Sequence, residues 1–502
     1  VSPSLASAQR SGAEAVPKRS GAEAVPKRSG AEAVPKGAGP ALAAAVLGFF
    51  VMTLDTLIVN VALPEIGDAF AAGMTGLQWV VDGYTLMFAA LLLSAGSITD
   101  RVGARQAFGA GLVVFVAASA ACGFAPNLAV LVLARLVQGM GAAVIVPASL
   151  ALIREAYPDR TRRARAISVW AMGGSVGAAA GPVAGGVLSL VDWRMIFFVN
   201  VPVGLLALFL LTRTRRSPRR PGTGFDWLGQ LAAVAAMGGL TFAAIEAGVA
   251  GFGAPPVIVA FGVAVVGGAL FLAAQARGKS PMVPMPLLRA RTMLISSSVG
   301  FALNIGFYGM VFLLSLYLQQ TRGLSPLATG MAFLPMTLLT ACVSPTTAWF
   351  AARFGARMPV ITGQLVMAFG LVILALAPAT APTWLLVVLM IPVGAGGSLA
   401  VPAVTALLLD RVPGERAGTA SGVLNASRQV GGALAVAVFG ALVAQHGSFF
   451  HGLRTSLLSA AALVLATAAT SLLLRPAPTS ATAAPAPTTS ASATALEKET
   501  QP

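Results

Sequence analysis

Charge is what this sequence has least of. Only 10% of its 502 residues are Asp, Glu, Lys or Arg, and 57% are hydrophobic. A soluble chain carries about 25% charged residues. A soluble globular protein is therefore excluded, and a polytopic all-α membrane protein is expected. Cysteine is nearly absent too: Cys122 and Cys342 both sit in apolar runs, which excludes a disulfide framework and a cysteine-spaced metal site. The two histidines, His446 and His451, flank one short loop and read as loop residues. No metal and no cofactor are expected. No Gly-x-x-x-x-Gly-Lys-Ser/Thr stretch occurs, so ATP is not expected as the energy source on this chain. Nothing forms an enzyme constellation. No stretch reads as a cleaved signal peptide, because the first apolar run begins near Ala41 and is too long.

What charge there is carries a strong sign, +16 in total. A nucleic-acid partner is not expected, because the basic residues lie in short loops between apolar spans rather than in one basic patch. Fourteen apolar spans are expected, at about 41–63, 77–99, 107–125, 128–149, 167–190, 195–212, 228–248, 256–276, 293–318, 328–350, 359–378, 383–407, 418–444 and 455–474. With the N-terminus placed in the cytoplasm, all but five of the 33 Lys and Arg residues fall on the inner side. Arg194, Arg322 and Arg454 fall outside, and Arg135 and Arg428 fall within helices. The bias places both termini in the cytoplasm of a bacterial inner membrane. Residues 10–18, 19–27 and 28–36 each read Arg-Ser-Gly-Ala-Glu-Ala-Val-Pro-Lys. Such a repeat cannot build a core, so 1–40 is expected to be a disordered tail, as is the Ala-, Pro- and Thr-rich 476–502.

The organising stretch is Gly96-Ser-Ile-Thr-Asp100-Arg101-Val-Gly103-Ala-Arg105. It is a short charged turn between two spans, with Gly103 free to take a positive φ. Part of it returns as Arg353-Phe-Gly-Ala-Arg357, and 139–147 is echoed by 394–402. Each copy falls at the same point of a six-helix unit. The expected organisation is a six-helix half at 41–212, a two-helix insert with its loops at 213–292, and a second half at 293–475. Parallel repeats of this kind enclose a central cavity near the midplane, which argues for transport.

With these motifs in order, the chain resembles the major facilitator superfamily, in its fourteen-helix drug:proton antiporter branch. Trp79-Val-Val-Asp-Gly-Tyr84 and Phe333-Leu-Pro-Met-Thr337 resemble the actinomycete methylenomycin-resistance and cephamycin-export type. Gly96, Asp100, Arg101, Gly103 and Arg105 match the family's loop signature, and the resemblance implies a cytoplasmic charge latch that helps hold the outward-facing state. Ala352 replaces Asp100 in the second copy, so the latch is one-sided. Gly177, Gly181, Pro182, Gly185 and Gly186 match the antiporter motif of span five, which marks exporters. Gly177, Gly181 and Gly185 share one helix face and permit close contact there, and Pro182 removes a backbone hydrogen bond.

Four charged positions in the spans are candidates for coupling or cargo. Asp55 lies in Leu54-Asp55-Thr-Leu-Ile-Val-Asn60, which resembles the branch's first-helix motif with Leu57 in place of its usual threonine. A carboxylate at membrane depth costs about 2.5–3.5 kcal/mol to insert. Burial favours its neutral form, which suits it to take up and release a proton. The alternative is a carboxylate that merely pairs within the bundle. Arg135, in Arg135-Leu-Val-Gln138-Gly139, matches the fourth-helix motif; the resemblance implies that it couples to proton transfer, and snorkelling to an interface is the alternative. Asp82 is expected near the outer surface, either as an interfacial residue or in proton access. Glu246 reads as an outer-interface residue that could contact a cationic substrate. Asn60, Gln138 and Arg428 are expected near the cavity. The expected function is proton-coupled export of an antibiotic or other small amphipathic compound by a monomer. A proton-coupled importer, or a receptor with a transporter fold, is the rival.

Overall fold

The computed structural model describes residues 37–474 apart from 219–224, 279–280, 344–345, 414–415 and 446–447. The expected tail at 476–502, His446 and most of the tail at 1–40 lie outside the described residues. Residues 38–40, also expected in the tail, instead open the first helix.

Among the described residues the chain is helical and has no strand. The spans are α1 (Ala38–Phe70), α2 (Met74–Val102), α3 (Ala104–Gly123), α4 (Leu128–Ala156), α5 (Arg160–Ser189) and α6 (Met195–Thr212). Then come α7 (Trp227–Ala250), α8 (Pro255–Arg277), α9 (Arg291–Thr321), α10 (Pro326–Val343) and α11 (Thr346–Phe354). The last are α12 (Arg357–Leu376), α13 (Thr383–Leu409), α14 (Ala417–Gln445) and α15 (Phe449–Ser471). Thirteen of these are long and apolar enough to cross a membrane. The remaining expected span, 328–350, is covered by the helical segments α10 and α11, which lie on either side of the undescribed residues 344–345.

The sequence repeat has a counterpart in three dimensions. Gly111 of α3 and Gly141 of α4 face each other so closely that a Cβ on Gly141 would lie 2.7 Å from the Gly111 carbonyl oxygen. Gly363 of α12 and Gly396 of α13 repeat the crossing, with a Cβ on Gly363 falling 2.6 Å from the Gly396 oxygen. Helices that lack a hydrophobic drive to associate in lipid hold together through such close backbone contact. The first six helices and the last six meet along two seams, α2 against α14 and α5 against α10. In the insert, α7 lies on both α2 and α14, and α8 packs on α7. The outer face of α8 shows Ile258, Val259, Val265 and Val266 well exposed, a surface suited to hydrocarbon rather than water.

The two ends of the bundle differ. At the end away from the basic loops the halves are joined. Ser315 Oγ donates to the Asn60 carbonyl at 2.6 Å, and Gln319 Nε2 donates to the Val61 carbonyl at 2.9 Å. Gln78 Nε2 reaches the carbonyls of Val436 and Ala437 at 3.0 and 2.6 Å. A Cβ on Gly186 would lie 2.6 Å from Leu327 Cα. Towards the basic end these contacts stop: a Cβ on Gly96 of α2, or on Gly418 or Gly422 of α14, would meet nothing within 4 Å. The halves are joined at one end, and at the other these glycines of α2 and α14 border open space.

Candidate functional site

Near the middle of the 33-residue α1, Asp55 is fully buried. Residues three apart on a helix share a face, so Arg135 and Gln138 of α4 both reach it. Arg135 Nη1 donates to Asp55 Oδ2 at 2.6 Å and to Gln138 Oε1 at 2.9 Å, while Arg135 Nε donates to the Val80 carbonyl at 3.0 Å. Gln138 Nε2 and Asn200 Nδ2 donate to Asp55 Oδ1 at 2.9 and 2.8 Å. Asn200 also donates to Ser119 Oγ at 3.0 Å. The guanidinium carbon of Arg135 stands 4.4 Å from the Tyr84 ring centroid and 5.8 Å from that of Phe197. Five helices thus enclose one ion pair whose lone pairs and protons are largely satisfied. That is the condition under which a buried pair is tolerated. Arg135 is not snorkelling to an interface.

The glycine motif of α5 sets the wall beside this pair. A Cβ on Gly177 would lie 2.5 Å from the Phe50 carbonyl oxygen, one on Gly181 2.9 Å from Leu57 Cβ, and one on Gly185 2.8 Å from the Ile58 oxygen. The stripe therefore lets α5 lie against the stretch of α1 that carries Asp55. Gly186 and Pro182 face the other way, towards Leu327 and Gly330 of α10.

Several expected placements are corrected. Asp82 is not at an outer interface. It is fully buried, about 12 Å along α2 from Met74 at 1.5 Å per residue, and neither carboxyl oxygen has a hydrogen-bond partner. Asn60 and Gln138 do not line the cavity: Asn60 belongs to the closed seam, and Gln138 is committed to the ion pair. Glu246 is partly buried on α7 and does not line the cavity either.

In the loop motif, Gly103 takes φ 96°, the left-handed turn that glycine permits. Arg105 Nε donates to the Leu211 carbonyl at 3.1 Å, at the end of α6, and its backbone amide donates to Ser217 Oγ at 2.9 Å. Asp100 and Arg101 are exposed and make no ion pair among the described residues. The charge latch that the resemblance implies is therefore not formed among the described residues.

Arg428 is where the sequence placed it. It lines a cavity of about 250 Å³ between the halves, with Ser175 of α5 on one side and residues of α9, α10, α12, α13 and α14 on the other. Asn200, Ser119 and Asn304 were missed as functional candidates. Asn200 lies inside the expected span 195–212, and an amide within an apolar run was the available signal.

A sequence model of the Major Facilitator Superfamily matches residues 45–436 and 296–499. The chain belongs to that superfamily. As a member of the superfamily it is a transporter and not an enzyme. It is 39% identical to the multidrug resistance protein Stp of Mycobacterium tuberculosis (strain CDC 1551 / Oshkosh), over 80% of this chain and 75% of that one. It is 34% identical to the methylenomycin A resistance protein of Streptomyces coelicolor, over 84% and 89%. It is 32% identical to the tetracenomycin C resistance and export protein of Streptomyces glaucescens, over 81% and 76%. The fold resembles that of a bacterial homologue of the human lysosomal transporter Spinster, with TM-score 0.62, 18% identity, and coverage of 88% of this chain and 97% of that one. It likewise resembles a D-xylose–proton symporter, with TM-score 0.61, 15% identity, and coverage of 85% and 97%.

Proposed function

We propose that this transporter exports a small amphipathic organic compound, of the antibiotic class, in exchange for protons across a bacterial cytoplasmic membrane. Both termini face the cytoplasm, and one chain suffices. The resistance and export proteins to which it is similar support the direction and the cargo class. The observation that carries the coupling is the buried Asp55–Arg135 pair. A proton on Asp55 would cancel the one carboxylate paired with Arg135 among the described residues, and the Arg135 side chain cannot neutralise itself. The stranded cation would then favour a different helix arrangement, and a ligand shifts an equilibrium only through such differential stability. Asp82, buried without a donor, is the second candidate carrier.

Everted membrane vesicles with an acidic interior test this reading. Wild-type protein is expected to accumulate one or more compounds of an antibiotic and dye panel, with accumulation collapsed by an uncoupler and lost in Asp55→Asn. Accumulation that survives in Asp55→Asn and is lost in Asp82→Asn would move the carrier to Asp82. Accumulation indifferent to the uncoupler would refute proton antiport.

A further inference from the structure

The cavity between the halves contains one charged side chain, and it is a cation. Arg428 is the only ionisable Asp, Glu, Lys or Arg among the residues that line it. Its Nε donates to Asn304 Oδ1 at 3.3 Å and its Nη1 to Asn425 Oδ1 at 3.1 Å. No carboxylate pairs with it among the described residues, where the ion pairs are Arg135–Asp55 and Arg194–Asp192. The two arginines within the spans therefore differ in kind. Arg135 is neutralised by its own protein and Arg428 is not.

Asn304 sharpens the point. Its oxygen faces Arg428, which fixes the orientation of its amide. Its Nδ2, on a residue only 4% exposed, then has no acceptor at all. The hydroxyls of Ser398, Thr340 and Ser175 spend their protons on the carbonyls of Gly394, Met336 and Ala171, so Arg428 and Asn304 carry the donors left free for a ligand's acceptor, with the Tyr308 ring beside them. The remaining wall includes Phe307 and Met367. An apolar chamber thus presents an unneutralised guanidinium and a spare amide donor side by side.

The geometry points to an organic anion as the cargo, an amphipathic carboxylate whose head is taken by Arg428 and Asn304 and whose body lies on the aromatic and aliphatic wall. A guanidinium matches a carboxylate through parallel N–H donors. A buried donor left without an acceptor is costly until a ligand supplies one. A cationic cargo would meet like charge with no compensating acid. The binding claim stands on the cavity alone; only the direction of transport rests on the export reading.

The test uses the full chain in lipid nanodiscs and three probes of one shape, 2-naphthoate, 2-naphthamide and 2-naphthylmethylammonium, with empty nanodiscs as the blank. Wild type is expected to bind naphthoate about tenfold or more tighter than the amide, as a charge-assisted hydrogen bond implies, and the ammonium most weakly. Arg428→Gln is expected to erase the preference, and Arg428→Lys to keep a weaker one, with each variant's folding checked by its melting profile. Equal binding of naphthoate and amide, no binding of naphthoate, or a preference unchanged in Arg428→Gln would each overturn the proposal. Everted vesicles separate the two readings: naphthoate bound through Arg428 but never accumulated would refute export and leave the anion site standing.

Discussion

The Asp55–Arg135 pair makes an unequal pair of predictions. Removing one partner of a buried ion pair costs about 3–5 kcal/mol, mostly because the other charge is left behind. The two survivors are not equivalent here. In Arg135→Gln, Asp55 keeps the donors Gln138 and Asn200 at 2.9 and 2.8 Å, and a carboxylate can also accept a proton. In Asp55→Asn, the Arg135 guanidinium keeps only the Val80 carbonyl and Gln138 Oε1. It cannot be discharged, since arginine holds its proton up to a pKa of about 12 or more. Asp55→Asn should therefore sit near the upper end of that range and Arg135→Gln near the lower. The double substitution removes both charges and should lose less than the two singles together, by a coupling of about 3 kcal/mol. The assay is the midpoint of thermal unfolding for wild type, both singles and the double in one detergent, scored by loss of the monodisperse peak. The order of the two singles and the coupling in the double are the readouts. A double variant whose loss equals the sum of the singles would refute the pair as an energetic unit, and with it the idea that protonation of Asp55 stresses the bundle.

Two further perturbations act on packing and on the closed seam. Gly181→Val should lose transport and about 1–3 kcal/mol of stability, because even its Cβ would fall 2.9 Å from Leu57 Cβ and 3.2 Å from the Leu54 oxygen; a melting profile unchanged from wild type would show that α5 can slide off α1 freely. Ser315→Ala combined with Gln319→Leu removes two hydrogen bonds across the seam, at about 1 kcal/mol each. Spin-label distances between the seam ends of α1 and α9 should then show the long-distance population raised about tenfold or more.

Much of this was readable in the residues. The spans, the repeat and the opening turn follow from hydropathy, proline and glycine, which act locally and so leave a mark in the sequence. An arginine inside the apolar fourth span already called for a buried partner or a wet cavity. The partner's identity was not readable, because Asp55 and Asp82 look alike as single acids in apolar runs. What separates them is which helices bring donors. Asp55 collects donors from α4 and α6, and Asp82 collects none. Asn60 was misplaced for a similar reason: its residue type suits a cavity, but its side-chain amide donates back to the Thr56 carbonyl of its own helix, and only its backbone carbonyl serves the seam.

The two halves share a fold and divide the chemistry. Met390, fully buried, stands at the repeat position of Arg135, and Ala352 at that of Asp100. The second half therefore has no copy of the ion pair or of the charged turn. In exchange it holds Arg428 in the open cavity. Under the proposed antiport, proton and cargo would not compete for one carboxylate. They would act on different halves, and the exchange would have to be enforced where the halves touch. The structure limits where that can be. The glycine face of α5 presses on the segment of α1 that carries Asp55, while Gly186 and Pro182 on the same helix press on α10. One helix thus contacts the charge pair's own helix on one side and the opposite half on the other. A rearrangement that relieves a stranded Arg135 by moving α1 must carry α5 with it, because no side chain on the stripe can give way. The seam of α5 with α10 is then the place where protonation in one half becomes a change of access to the cavity bordered by the other.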